Sequence, residues 1–442
     1  MAHFEDRIIF MLSEKNLLDI KKRFLNSKLF KDSFWAVFGN GLGNFLLLIA
    51  GIIIARLLGK DLYGEYGMVK TTMFHIASFS TLGLGFTSTK YIADSISNSP
   101  NNLRRIIKTS LETTFGFSFS LCVLLFVFAD DLANYINEPQ SASAFRALGV
   151  IVVLRAINTI SAGILAGYKS FKTVGINSVI SGGILLVFSS VLTYSYGLVG
   201  SFIALSLSQL VNAYLNFIAV VKQYRIAEKQ LEEDTVSKEM ILFTIPVAIQ
   251  EFTYMLATWG GTMILTKYAS LGEVGLWSAA SQWYTIILFV PNLLLNVVLS
   301  YLSGLSKDKS NHSAMLKRML VINLVCSLIP FIIVYALAGV ISGFYGTTFV
   351  GLPEVIRVVT ISTVLSCLSN VFHSSLLSEG RNWTLLSLRV FRDIFMLITL
   401  LIVLSKGVEH ASLVYSWIYV IANVLYFVMI ASAEITYKNR CC

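Results

Sequence analysis

Six basic side chains interrupt long apolar runs in this chain of 442 residues: Lys70, Arg146, Arg155, Arg357, Arg389 and Arg392. Only Glu251 and Asp393 are acidic and comparably deep in such runs. Guanidinium forks pair bidentately with carboxylate or phosphate oxygens, so a cavity lined by these cations suits an anionic group. A carboxyl group withdrawn from water can titrate or hold a cation, which makes Glu251 and Asp393 candidates for ion coupling.

Spacing adds detail. In LSLRVFRDIFML, Arg389, Arg392 and Asp393 stand at i, i+3 and i+4 on one helical face, so Arg389 and Asp393 are expected to pair and to leave Arg392 less compensated. Arg155 lies about twelve residues into its run, roughly 18 Å deep at 1.5 Å per residue. It either bonds carbonyls of its own helices or faces a cavity, and the second is favoured by depth. Glu251, in TIPVAIQEFTYML, either couples an ion or partners an arginine from elsewhere in the chain. Lys70, Arg146 and Arg357 are expected within about a turn of the outer surface, snorkelling to headgroups or lining an outer vestibule. His75 and His373 read as packing residues.

The segment GNGLGN at 39–44 lies in an apolar run with no strand before it, so it is no nucleotide fingerprint. Its Gly39–Gly43 spacing implies close helix packing, with Asn40 and Asn44 adding polar lining. No GxxxxGK[ST], Cys/His metal cluster or nucleophile constellation occurs in the sequence.

The elements that must position these residues follow from composition. Apolar residues make up 55% of the chain and charged ones 13%, against about 25% charged in a soluble domain. Mean hydropathy is +0.72. These values argue against a soluble enzyme, and five cysteines, three of them in apolar runs, make no disulfide scaffold. Cys441 and Cys442 end the chain as a plain tail or a palmitoylation site.

Apolar runs fall at about 34–55, 67–92, 109–129, 143–167, 174–196 and 198–221, then at 240–266, 275–303, 319–342, 355–378, 384–405 and 408–433. This predicts an all-α polytopic membrane protein with about twelve transmembrane helices in two parallel six-helix lobes around a central cavity. The expected divisions are an interfacial amphipathic segment (1–33), an N-lobe (34–221), a cytoplasmic linker (222–239), a C-lobe (240–433) and a cytoplasmic tail (434–442).

With both termini cytoplasmic, that side receives 24 of the 34 Lys and Arg, the opposite side four, and the spans six. The net charge of +9 is therefore mostly topology, as the positive-inside rule requires, and calls for no nucleic acid. Outer loops are too short for an extracytoplasmic catalytic domain. A shift of 211 residues lays ARLLGKDLYGEYGMV onto TKYASLGEVGLWSAA, with Arg56 on Lys267, Gly64 on Gly275 and Tyr66 on Trp277. A duplicated six-span unit accounts for that match, and the cavity between such lobes is the default substrate path.

The stretch from Ile53 to Asp94 resembles the signature region of Wzx-type polysaccharide flippases, within the multidrug/oligosaccharidyl-lipid/polysaccharide exporter superfamily. The resemblance rests on Arg56, Leu58, Gly59, Tyr66, Gly67 and the Leu-Gly-Leu-Gly of 82–85. It implies an inner-membrane transporter rather than an enzyme, without cofactor, in O-antigen or lipopolysaccharide biosynthesis. The implied substrate is an undecaprenyl-pyrophosphate-linked oligosaccharide, moved to the periplasmic leaflet by alternating access. H+ or Na+ would be the coupling ion, and a polymerase or chain-length regulator the protein partners. The implied substrate-binding set is Arg155, Arg389, Arg392, Lys70, Arg357, Asn40 and Asn44, with Glu251 and Asp393 for the ion. A multidrug exporter of the same superfamily is the alternative, and it would want an acidic, aromatic cavity for organic cations. A membrane polymerase would need a larger outer loop.

Overall fold

The computed structural model describes residues 28–98, 100–131, 142–227, 234–304, 309–378 and 381–440. Most of the expected amphipathic segment, the middle of the linker and the Cys441–Cys442 terminus lie outside the described residues. Among the described residues there are eleven α-helices, one short 3-10 turn and no strand. The helices are α1 (Lys28–Ser80), α2 (Leu84–Asn98), α3 (Leu103–Val127), α4 (Ala142–Gly167), α5 (Phe171–Ile226) and α6 (Asp234–Tyr268). They continue with α7 (Leu271–Gly304), α8 (Lys309–Tyr345), α9 (Leu352–Ser378), α10 (Asn382–Leu404) and α11 (Ala411–Arg440).

Eleven helices make twelve passes because α1 and α5 each fold back on themselves at a glycine, while α2 continues the second pass. Gly59 (φ 73°, ψ 171°) and Gly197 (φ 56°, ψ −134°) take conformations that side chains with a Cβ avoid. Gly197 falls in the expected gap between the fifth and sixth runs. The first outer turn is much tighter than the loop expected over 56–66: one left-handed glycine reverses the chain, and Lys60 to Tyr66 already belong to the second pass. The second pass is broken in turn at 81–83, where Leu82 (φ 50°) and Gly83 (φ 74°) are both left-handed. Two residues on, Gly85 lets α4 approach, for a Cβ on Gly163 would overlap the Gly85 carbonyl. Thr89 Oγ1 donates to the Gly163 carbonyl at 2.7 Å across the same contact. The Leu-Gly-Leu-Gly signature is thus a helix break followed by a close crossing.

A helix satisfies its own backbone groups, which is why an apolar chain in lipid takes this form. Seven of the described helices are long and apolar enough to cross a membrane by composition alone, and two of these, 38–80 and 171–226, contain both arms of a folded-back helix. Their outward faces are apolar too. On α8, Val321, Val325, Ile329, Ile332, Ile333 and Val340 are all exposed, as expected where the solvent is lipid.

The GxxxG spacing does what its sequence suggests. A Cβ on Gly39 would lie 2.7 Å from the Gly175 Cα, and one on Gly43 2.9 Å from Ser178, so the first arm of α1 packs directly on the start of α5. Between the lobes, the 211-residue offset becomes a geometric relation. A Cβ on Gly64 would overlap the Leu271 carbonyl, and one on Gly275 the Lys60 carbonyl. Each contact is the other's image under that offset, as is the approach of Gly67 to Ser278. The first turns of the two lobes therefore cross about a local pseudo-twofold. One core lies beneath them and draws on both lobes, including Tyr63, Tyr66, Leu276, Ala279, Tyr345 and Phe349. Gln282 donates to the Tyr63 hydroxyl across the seam, and Trp283 Nε1 donates to the Tyr345 hydroxyl at 3.0 Å.

Candidate functional site

Below the outer crossing, the second arm of α1 runs beside α6. Trp259 Nε1 donates to Thr72 Oγ1 at 3.1 Å, Thr258 Oγ1 lies 3.4 Å from His75 Nδ1, and the His75 and Tyr254 rings meet edge on at 6.1 Å. His75 and Tyr254 thus mark where polar groups of the two lobes approach.

On the N-lobe side of that contact, the Arg155 guanidinium lies over the Phe74 ring at 4.4 Å, and its Nη1 donates to Gln209 Oε1 at 3.3 Å. Lys70, one turn from Phe74, stands over the Tyr66 ring at 5.7 Å and within electrostatic range of Arg155. Lys70 sits eleven residues beyond the turn at Gly59, about 16 Å along a helix, which corrects its expected place within about a turn of that end. The reason is the early start of the second pass. Arg155 is half-buried, with a side-chain amide and a ring for partners. Asn40 is half-buried and accepts from Ser178 Oγ at 3.2 Å, whereas Asn44 is exposed.

On the C-lobe side, Arg389 lies over the Tyr254 ring at 4.9 Å. Asp393, 3% exposed, pairs with Arg392 instead of Arg389: Arg392 Nε donates to Asp393 Oδ1 at 2.8 Å, and Nη2 reaches the same oxygen. The expected pairing is therefore exchanged, and among the described residues Arg389 is the less compensated cation. A ring on α6 competes for Arg389, and the adjacent guanidinium bends back onto the short carboxylate. Arg392 also covers the Tyr426 ring at 5.2 Å. Around this pair runs a hydroxyl chain in which Tyr419 donates to Tyr284 at 3.2 Å, Tyr284 and Ser366 share a bond at 3.1 Å, and Ser366 donates to Asn423 at 3.2 Å. Asp393 Oδ2 is buried and makes no hydrogen bond among the described residues.

Other candidates lie elsewhere. Arg146 pairs with Asp130 at 2.8 Å, and Arg357 stands over the Tyr335 ring at 6.0 Å, between α9 and α8. The Glu251 backbone is in α6, and its side chain lies outside the described residues. The tyrosines, Phe74 and Gln209 went unmarked in the sequence because they read as apolar packing or loose polar residues. Tyr415, Tyr419, Asn423 and Tyr426 do repeat at helical spacing along one face of α11, a signal that was available.

Among the described residues, no carboxylate pairs with Lys70, Arg155 or Arg389. A cation within a span costs about 3 kcal/mol or more unless a counter-charge or water meets it.

Two six-helix lobes meeting at a pseudo-twofold seam around polar groups define a polytopic transporter fold. A multidrug resistance MATE family transporter of the MOP superfamily in an inward-facing conformation superposes with a TM-score of 0.74 at 14% identity, over 90% of this chain and 96% of that one. A MOP superfamily transporter from Pyrococcus furiosus gives 0.63 at 15% identity, over 94% and 98%. Residues 29–306 match the polysaccharide biosynthesis protein family, and the chain belongs to that family. It is 22% identical over 366 residues to a Shigella flexneri protein named "Putative O-antigen transporter", covering 80% of this chain and 85% of that one. The succinoglycan biosynthesis transport protein ExoT of Rhizobium meliloti is 22% identical over 253 residues, which is 57% of this chain and 47% of that one.

Proposed function

We propose that the chain is a flippase for undecaprenyl-pyrophosphate-linked oligosaccharide repeat units, carrying them from the cytoplasmic to the periplasmic leaflet of the inner membrane. The observation that carries this reading is that Lys70, Arg155 and Arg389, beside the seam between the lobes, have no carboxylate partner among the described residues. A pyrophosphate supplies negative charge there; the Arg389 guanidinium lies over a ring, and Arg155, which spends one N–H on Gln209, keeps further N–H donors for its oxygens. The surrounding tyrosine, serine and asparagine groups suit sugar hydroxyls. The lipid tail stays in the bilayer and passes between the lobes.

Transport proceeds by alternating access, with the outer glycine crossing opening as the opposite end closes. Coupling to H+ or Na+ falls to Asp393, whose Oδ2 is available, and to Glu251 on α6. Both termini are cytoplasmic on the charge distribution of the loops. An organic-cation exporter shares the fold, but these cations repel its substrates.

Complementation of a strain lacking its O-antigen flippase tests the proposal. Restored surface polysaccharide with at least one related repeat unit is expected. Failure with every repeat unit tried, together with gained drug resistance in a host stripped of efflux pumps, overturns it in favour of the exporter.

A further inference from the structure

Away from the seam, a cleft of about 470 Å3 opens between the start of α3 and the end of α5. Its rim carries Arg104, Lys108 and Arg225, its floor is Leu111 and Val220, and one carboxylate, Glu112, stands a turn beyond Lys108. The Arg104 guanidinium lies over the Tyr224 ring at 4.5 Å, which fixes its plane and leaves its N–H edge open. Among the described residues, none of the three cations makes an ion pair.

The level of the cleft is set by its neighbours. On α3 the large exposed apolar residues begin at Phe115 and continue through Phe119 and Val123, further along the helix than Arg104 and Lys108. On α5 exposed Tyr214, Phe217 and Ile218 come just before Lys222 and Arg225. The cleft therefore straddles the line where the apolar belt gives way to charge, at the end of the bundle that carries the linker. That line is the depth of phospholipid phosphates.

We propose that this cleft binds an anionic phospholipid of the linker-side leaflet. Its phosphate sits among Arg104, Lys108 and Arg225, and an acyl chain runs along Leu111 and Val220. Charge complementarity and depth both favour it: three cations without an ion pair among the described residues stand against one carboxylate in the described lining, over an apolar floor continuous with the belt. A zwitterionic lipid brings its own cation into the rim and is repelled there. A lipid bridging α3 and α5 would fasten two outer helices of the N-lobe together. The site is separate from the seam and does not depend on what the protein transports.

The test uses the purified full chain in detergent, titrated with phosphatidylglycerol, phosphatidylcholine or soluble glycerol phosphate. Retained lipid is counted by native mass spectrometry, and thermal unfolding is followed in parallel. Phosphatidylglycerol alone is expected to stay bound and to raise the unfolding temperature. R104Q/R225Q is expected to lose phosphatidylglycerol retention about tenfold or more, at roughly the surface strength of two basic residues, with retention of phosphatidylcholine unchanged. K108Q/R225Q alters two exposed positions and repeats the test should the first pair fail to fold. Equal retention of the two lipids, an equal thermal shift with glycerol phosphate, or full phosphatidylglycerol retention by a folded variant overturns the proposal.

Discussion

Gly64→Ala is the most exacting perturbation of the outer crossing. The added Cβ would overlap the Leu271 carbonyl, and it would lie 2.8 Å from the Leu271 carbonyl carbon and 3.0 Å from the Gly275 nitrogen. These are backbone atoms of an opposing helix, so relief requires the lobes to separate at the outer end. Overpacking of this kind costs about 1–3 kcal/mol. If the crossing opens during transport, the cost falls only on the state in which it is closed and moves the balance between closed and open by roughly 5- to 150-fold, at 1.4 kcal/mol per tenfold. The offset makes a matching demand: Gly275→Ala would meet the Lys60 carbonyl and should have a similar effect. The two together should be far less than additive, since one opening relieves both. The assay is labelling of Ser278→Cys, beside Gly67 in the seam, by a membrane-impermeant maleimide in an otherwise cysteine-free chain. Labelling should rise at least several-fold in either variant, with insertion unchanged. Unchanged labelling in both would refute the reasoning that this crossing is a reversible closure.

Two further outcomes follow from the packing. Asp393→Asn should strand the Arg392 guanidinium and lower stability by about 3–5 kcal/mol, and Arg392→Gln in the same chain should recover much of it; additive losses in the double-mutant cycle would show that the pair is not coupled. Gly43→Leu should push α1 off α5 at Ser178, lowering the unfolding temperature at a cost of about 1–3 kcal/mol, whereas Gly183→Ala, with nothing within 4 Å of its Cβ, should leave it nearly unchanged.

Much of the fold was legible because it rests on quantities that a sequence carries directly. Run lengths and the 211-residue offset anticipated the passes, and the offset then reappeared as the Gly64–Leu271 and Gly275–Lys60 contacts. What escaped was set by single torsions and by competition between partners. The charged residues Lys60 and Asp61 marked a loop, yet Gly59 alone turns the chain, and that shift carries Lys70 from the surface into the site. Helical spacing paired Arg389 with Asp393, but spacing cannot tell that Tyr254, 135 positions before Arg389, occupies the guanidinium. The tyrosines of α11 were counted toward the apolar wall. Their hydroxyls become informative only when the helices around them are in place.

The central claim is that the cations at the seam bind the phosphate end of a lipid-linked oligosaccharide. Its most direct test is transfer of an undecaprenyl-pyrophosphate-linked oligosaccharide across proteoliposomes containing the purified chain, compared with Lys70→Ala, Arg155→Ala and Arg389→Ala. Transfer by the unsubstituted chain is expected, with at least a tenfold loss in Arg155→Ala, whose guanidinium lies between Phe74 and Gln209 on the N-lobe side. Transfer undiminished in all three variants, at equal reconstitution, would contradict it.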